Sequence, residues 1–219
     1  MSRSNPAQRL WKSFLFVVFA LGIGLVAVPS AQACLLDTDG TLDCSFSLRT
    51  AEAKTSAAAP AAMNRGIIPA PPTGTDRWNA TGELNTLPSL TMPDDIDANG
   101  VGVSFGLMDS AGSSFIELDR VDFTGEECVA KGGNYRRVRC KTDGGLLVLA
   151  PRSALSFFKV IARMNKRTIV PFPTIADLPL AVVLHSPEGK SRGDTIGDPS
   201  TECKYTASKQ TKLTCKRLP

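Results

Sequence analysis

Residues 127–141 read ECVAKGGNYRRVRCK, and residues 202–216 read ECKYTASKQTKLTCK. Both run Glu-Cys, eleven residues, Cys-Lys, with a polar turn in mid-segment and strand-forming residues on either side. The turns are Lys131-Gly132-Gly133-Asn134 in the first and Ser208-Lys209-Gln210 in the second. This spacing predicts two antiparallel hairpins, each closed by a disulfide. Four matching residues are too few to establish an internal repeat. Working outward, Cys34 and Cys44 form a third couple around Asp39-Gly40, a hairpin-turn dipeptide. Six Cys in three local couples, Cys34 with Cys44, Cys128 with Cys140 and Cys203 with Cys215, fit a disulfide framework, one of fifteen formal connectivities. No couple has the two-to-four spacing of a zinc knuckle, and the single His lies far from all of them. Each such closure contributes about 3 kcal/mol in the chain-entropy model.

The chain between these couples alternates in the manner of strands. Val101, Val103, Phe105 and Leu107 face one way, with Gly102, Ser104 and Gly106 between them. After a turn at Ser110-Ala111-Gly112, Ile116 and Leu118 are in phase, whereas Val121 and Phe123 are out of phase with them, which predicts a bulge near Asp119-Arg120. Gly144-Gly145 leads into Leu146–Leu149, and Leu180–Leu184 is a short apolar strand between Pro179 and Pro187. Residues 152–166 admit two readings. Arg152, Ser156, Lys159, Arg163 and Lys166 share a helical face, so a single helix around 153–166 stays open. Phe158, Val160, Ala162 and Met164 also alternate as a strand, which the β-branched and aromatic content favours.

The expected fold is therefore mainly β: an antiparallel sandwich or open barrel braced by disulfides, with an N-terminal Pro/Ala-rich arm. The expected organisation is a signal peptide over 1–33, a Cys-closed hairpin over 34–49, the Pro/Ala-rich linker or arm over 50–99, and the β domain over 100–219. The signal rests on Arg3, Arg9 and Lys12 without an acid, an uncharged run Ser13–Val28, and small residues at Ala31 and Ala33. Sixteen apolar residues rising ~1.5 Å each reach ~24 Å, short of the ~30 Å hydrocarbon core. Export to a periplasm or beyond follows as the expected localisation, with no membrane span after processing. Lipid anchoring through Cys34 is the alternative; Ala31 and Gln32 suit it poorly, and it would leave an odd number of thiols.

The formal net charge is +4, but the halves differ: residues 34–119 hold 4 basic and 12 acidic side chains, residues 120–219 hold 18 and 9. Opposite fields of this kind favour docking of the acidic half on the basic half, within one molecule or between two. The cations concentrate in the Cys-closed hairpins. Lys131, Arg136, Arg137, Arg139 and Lys141 lie in one, and Lys204, Lys209 and Lys212 lie in the other, giving candidate anion-binding stripes. Such residues also guard edge strands against aggregation. Few aromatics accompany them, so no nucleic acid is expected.

Asp95, Asp97 and Asn99 ahead of Gly100 match the start of a calcium loop. Positions nine and twelve are Val103 and Gly106, so the match stops there, and no other cofactor is indicated. His185, the lone imidazole, has no Gly-x-Ser-x-Gly elbow to work with. No catalytic residue is assigned. Arg192-Gly193-Asp194 in a Gly/Pro-rich loop is a short adhesion-like match of the kind that arises by chance. The functional expectation is an exported, non-enzymatic binding or structural protein of a bacterial envelope or secretome, displaying loops on a stapled scaffold, with an envelope protein or anionic polymer as partner. Two alternatives stand beside it: an exported hydrolase using carboxylates or His185, and a lipoprotein adapter for anionic polymers.

Overall fold

The structure is a computed structural model that describes residues 35–36, 42–43, 45–55, 74–85, 99–109, 114–132, 137–152, 157–186, 191–197, 201–206 and 211–218. The expected signal peptide and the Cys34–Cys44 bond lie outside the described residues.

Among the described residues, fourteen strands make three antiparallel sheets. The N-terminal strands are β1 (Leu35–Leu36), β2 (Leu42–Asp43), β3 (Phe46–Thr55), β4 (Asp76–Asn85), β5 (Val101–Met108) and β6 (Phe115–Phe123). Next come β7 (Cys128–Lys131), β8 (Arg137–Thr142), β9 (Gly145–Pro151) and β10 (Phe157–Arg167). The last are β11 (Leu180–His185), β12 (Ser191–Ile196), β13 (Thr201–Thr206) and β14 (Thr211–Arg217). Beside the two-stranded β1-β2 ladder stand an eight-stranded sheet in the order β13-β14-β3-β4-β10-β9-β8-β7 and a four-stranded sheet in the order β12-β11-β5-β6. The mainly β, disulfide-braced architecture read from the sequence is the one observed.

The two larger sheets share one core. Val101, Val103 and Phe105 of β5 and Leu180, Val182 and Leu184 of β11 pack with Leu48, Trp78, Leu147, Val160, Met164 and Leu213 of the large sheet. Trp78 stacks on Phe105 with ring centroids 5.2 Å apart, a contact worth about 1 kcal/mol beyond its area burial. The indole N–H donates to Asp119 Oδ2 at 2.6 Å, and Arg167 Nη2 donates to Asp119 Oδ1 at 2.6 Å. Asp119 is on β6, whereas Trp78 and Arg167 are on β4 and β10, so this polar knot pins one sheet to the other where an unpaired carboxylate would be costly.

Local chemistry explains several features. Between Phe105↔Asp119 and Gly106↔Glu117 the register of β5 and β6 slips, leaving Leu118 as the extra residue, one position from the expected bulge. Gly106 permits the close approach there, since a Cβ would lie 2.1 Å from the Ile116 carbonyl oxygen. β8 and β9 are joined by Asp143-Gly144, with Gly144 at φ 82°, a two-residue hairpin turn that needs positive φ.

Two expectations are corrected and one open reading is resolved. The stretch expected to be a Pro/Ala-rich arm contains two interior strands of the large sheet: β3 pairs with β14 and β4, and β4 pairs with β3 and β10. Residues 56–73 and 86–98 of that stretch lie outside the described residues. Ala51, Ala53, Trp78, Ala80 and Leu84 point into the core; small Ala residues fill the space beneath the second sheet, and their alternation with Glu52, Lys54 and Asn79 is the strand signal that the Pro-rich surroundings obscured. Of the two readings of 153–166 the favoured one, the strand, is observed: residues 157–167 are strand β10, with Phe158, Val160, Ala162 and Met164 buried. The second correction is that Arg192-Gly193-Asp194 is not in a loop. It lies within β12, with Arg192 and Asp194 both buried, which removes the adhesion-like reading.

Candidate functional site

The two Cys-closed hairpins occupy opposite edges of the eight-stranded sheet, β7 at one and β13 at the other. Cys128 is paired directly with Cys140, and Cys203 with Cys215, and both couples are disulfide-bonded. Cys128, Cys140 and Cys215 are buried among core residues. In a strand of period two, that fixes the other face: Val129, Lys131, Arg137, Arg139 and Lys141 point outward and are exposed.

Register then sets their spacing. Lys131 lies opposite Arg137, and Val129 lies opposite Arg139. Arg137, Arg139 and Lys141 follow one another at every second residue of β8, about 6.7 Å apart. Inward from β8, Lys141 faces Leu146 and Arg139 faces Val148; beyond β9, Leu146 faces Arg163, Val148 faces Ile161 and Ala150 faces Lys159. Val148, on this outer face, is buried to 4% exposure between Arg139 and Ile161. Over β7 and β8 the surface is an open depression of about 460 Å³, lined by Glu127, Val129, Lys131, Arg137, Arg139 and Lys141, within the volume range of ligand sites.

Charge pairing separates the two hairpins. Lys204 is bonded to Glu202, and Lys212 Nζ is 2.8 Å from Glu52 Oε2. By contrast, Lys131, Arg137, Arg139, Lys141, Lys159 and Arg163 have no ion pair among the described residues. The one acid in the depression, Glu127, is committed elsewhere. Its Oε2 accepts the Thr124 N–H at 2.9 Å in the turn Gly125–Glu127. That bond and a second from the Thr142 side chain hold its carboxyl below the usual range, so it stays ionised as a cap. Four cations against one engaged carboxylate line the depression, and Glu83, opposite Lys159, is itself held by Arg49 and Arg152, which leaves a surface that attracts anions.

The two basic hairpins do not form one plane. Five strand steps separate β14 from β8, and sheet twist of about 20–25° per step turns their outward directions apart by roughly 100–125°. The candidate anion residues therefore divide. Lys131, Arg137, Arg139 and Lys141 converge on the depression; Lys204 and Lys212 are neutralised on the other edge; Arg136 and Lys209 lie outside the described residues. Lys159 and Arg163, absent from the sequence-derived set, join the face. The favoured strand reading puts them on the face opposite Phe158 and Val160, but only the pairing of β10 with β9 brings them near Arg139 and Lys141. Of the calcium candidates, Asp95 and Asp97 lie outside the described residues and Asn99 is exposed; among the described residues no cluster of three metal-ligating side chains occurs.

His185 sits in a separate polar chain on the small sheet. Its Nε2 is 2.8 Å from Ser104 Oγ and its Nδ1 2.9 Å from Ser191 Oγ, and Ser104 Oγ donates to Glu117 Oε2 at 2.5 Å. Because Ser104 gives its proton to the carboxylate, it accepts from Nε2–H, and Nδ1 accepts from Ser191. Burial, reinforced by the positive charge of Arg120, lowers the imidazole pKa and favours this neutral tautomer. A hydrolytic triad needs the imidazole between serine and acid. Here Glu117 holds Ser104 instead, and Ser104 is fully buried, so Ser104, His185 and Glu117 are not in the order of such a triad.

No family model, curated protein or solved structure matches the chain.

Proposed function

We propose that the chain is an exported, non-enzymatic binding protein of a bacterial envelope or secretome, and that the outer face of β7–β10 is its working surface, taking anionic groups of an envelope polymer. The observation that carries this reading is the set of six exposed cations without ion pairs gathered on one face, whereas Lys204, Lys212 and Arg217 of the other Cys-closed hairpin each meet an acid. Two disulfides suggest an oxidising, extracytoplasmic environment. No helix among the described residues is long and apolar enough to cross a membrane. The charged n-region, the apolar run Ser13–Val28 and Ala31/Ala33 support export by a cleaved signal.

The test compares two variants of equal charge change on a sulfated-polymer column: R137A/R139A/K141A and K204A/K212A/K216A. The first is expected to elute at much lower salt than the parent, and the second closer to it, because Lys204 and Lys212 are ion-paired and Lys216 stands opposite Glu202. Equal shifts for the two variants would reduce the effect to net charge and end the proposal.

A further inference from the structure

The form of the basic face points to a narrower class of ligand, and this step rests on the function proposed above. We infer that the β7–β10 face binds a linear glycan bearing sulfate or phosphate esters, laid along β8. Three observations select it. First, Arg137, Arg139 and Lys141 stand in line on alternate residues of one straight strand, spanning about 13 Å from the first to the last. Lys131 extends the wall on the edge side, and Lys159 and Arg163 form a second, parallel wall two strands inward. Repeated cations in rows match repeated anions on a chain, whereas one small anion would engage only one or two of them.

Second, Arg137 and Arg139 carry planar forks that satisfy tetrahedral oxyanions by paired N–H donation, a geometry favoured for phosphate and sulfate. Neither fork is committed to a carboxylate of the described residues.

Third, the apolar content of the face is modest and without aromatic rings. Val129 is 49% exposed, Leu146 and Ile161 are half-buried, and Val148 is covered. Among the described residues of this face there is no platform for stacked bases, which single-stranded nucleic acids require. One exposed Val is too little for insertion into a bilayer, which takes an apolar face of several large side chains. A sugar backbone, with C–H edges to lie over the half-buried Leu146 of β9 and esters to reach the β8 row on one side and Lys159 and Arg163 on the other, suits both the floor and the walls.

The experiment is a titration of the full-length exported protein with dextran sulfate fractions of graded length, against inorganic sulfate, oligo-dT and phosphatidylglycerol vesicles. Affinity for dextran sulfate should rise with length until the chain spans Arg137 to Lys141, then level off per site. With four to six contacts, log K should fall against log salt with a slope of about −3 to −4, taking ~0.7 per contact as for flexible single strands. R137A/R139A/K141A should lose about two units of that slope and roughly tenfold or more in affinity at moderate salt, while K204A/K212A/K216A keeps both. Unchanged melting temperatures for the two variants confirm that they fold. Inorganic sulfate competing as well as the polymer would overturn the linear-chain inference. So would vesicles or oligo-dT binding more tightly than dextran sulfate. In each of these cases the basic face itself survives as a binding surface. Indifference of every probe to R137A/R139A/K141A would instead overturn the function on which the inference rests.

Discussion

The hairpins β7–β8 and β13–β14 share a Cys-to-Cys frame, a basic composition and a place at the edge of one sheet, yet their charges meet opposite fates. In β13–β14, Glu202 holds Lys204, Glu52 of β3 holds Lys212, and Arg217 turns inward, its Nη1 2.9 Å from the buried Asp194 Oδ2 and its Nη2 donating to the Thr195 carbonyl at 2.7 Å. In β7–β8 the neighbouring strand β9 supplies Leu146, Val148 and Ala150, and no acid faces the cations from it. The same composition is thus structural at one edge and available at the other. What a basic segment does depends on the strand that pairs with it, a property of register and not of the segment.

The largest effect separating the hairpins should come from Asp194. It accepts the Leu48 N–H at 2.7 Å and the Thr195 N–H at 2.8 Å as well as pairing with Arg217. Burial is the dominant influence on its carboxyl and raises its pKa against the lowering effect of these partners. Asp194→Ala leaves the Arg217 charge without its partner, and urea unfolding should show a loss of about 3–5 kcal/mol. Arg139→Ala at the other edge should change stability by no more than about 0.5 kcal/mol. Similar losses for the two would erase the distinction between an anchored and an unanchored hairpin.

Next in size are the disulfides. C128S/C140S and C203S/C215S should each cost about 3 kcal/mol from loop closure. Amide exchange should distinguish them. Without its bond β7–β8 should lose local protection, whereas β13–β14 should retain much of its own through Arg217 and the ladder to β3. A smaller effect concerns pH. The folded pKa of His185 lies below 6.5, so the unfolded chain takes up a proton first as pH falls. Stability is then fully present above about pH 6.5 and declines as pH drops toward the folded value. His185→Gln should flatten that segment of the melting-temperature profile, and an unchanged profile would remove the neutral tautomer assigned here. The smallest change sharpens the comparison directly. E52Q/E202Q frees Lys212 and Lys204, and should steepen the salt dependence of polymer retention by about one unit or less.

Legibility followed the range of the interaction. The hairpins Cys128–Cys140 and Cys203–Cys215, the bulge beside Asp119, the alternation of β5 and the short apolar run of β11 are local, and residue spacing was enough to read them. β3 and β4 were not legible, because Ala51, Ala53 and Ala80 have weak strand preference and become strand residues through pairing with β14 and β10 far along the chain. In the site, Lys131, Arg137, Arg139 and Lys141 were visible as a group. That Lys204 and Lys212 are neutralised was not, since Glu52 reaches Lys212 only through the β3–β14 ladder, where Lys212 stands opposite Lys54 and Thr214 opposite Glu52. Lys159 and Arg163 were hidden by the competing helical period of the same residues.

The ladder that joins Ala51 to Cys215 also orders events in time. β3 lies at the middle of the large sheet, but the neighbour on one of its sides is the last strand of the chain. Until residues 211–217 arrive, β3 presents an open row of donors and acceptors along a side that the finished protein never exposes. Strand pairing over such a separation is slow to nucleate, because the intervening chain must first be confined. During that interval the half-built sheet is a template for any other extended segment, including a second copy of itself. Truncation before Thr211 should therefore leave a scaffold that assembles edge to edge through β3.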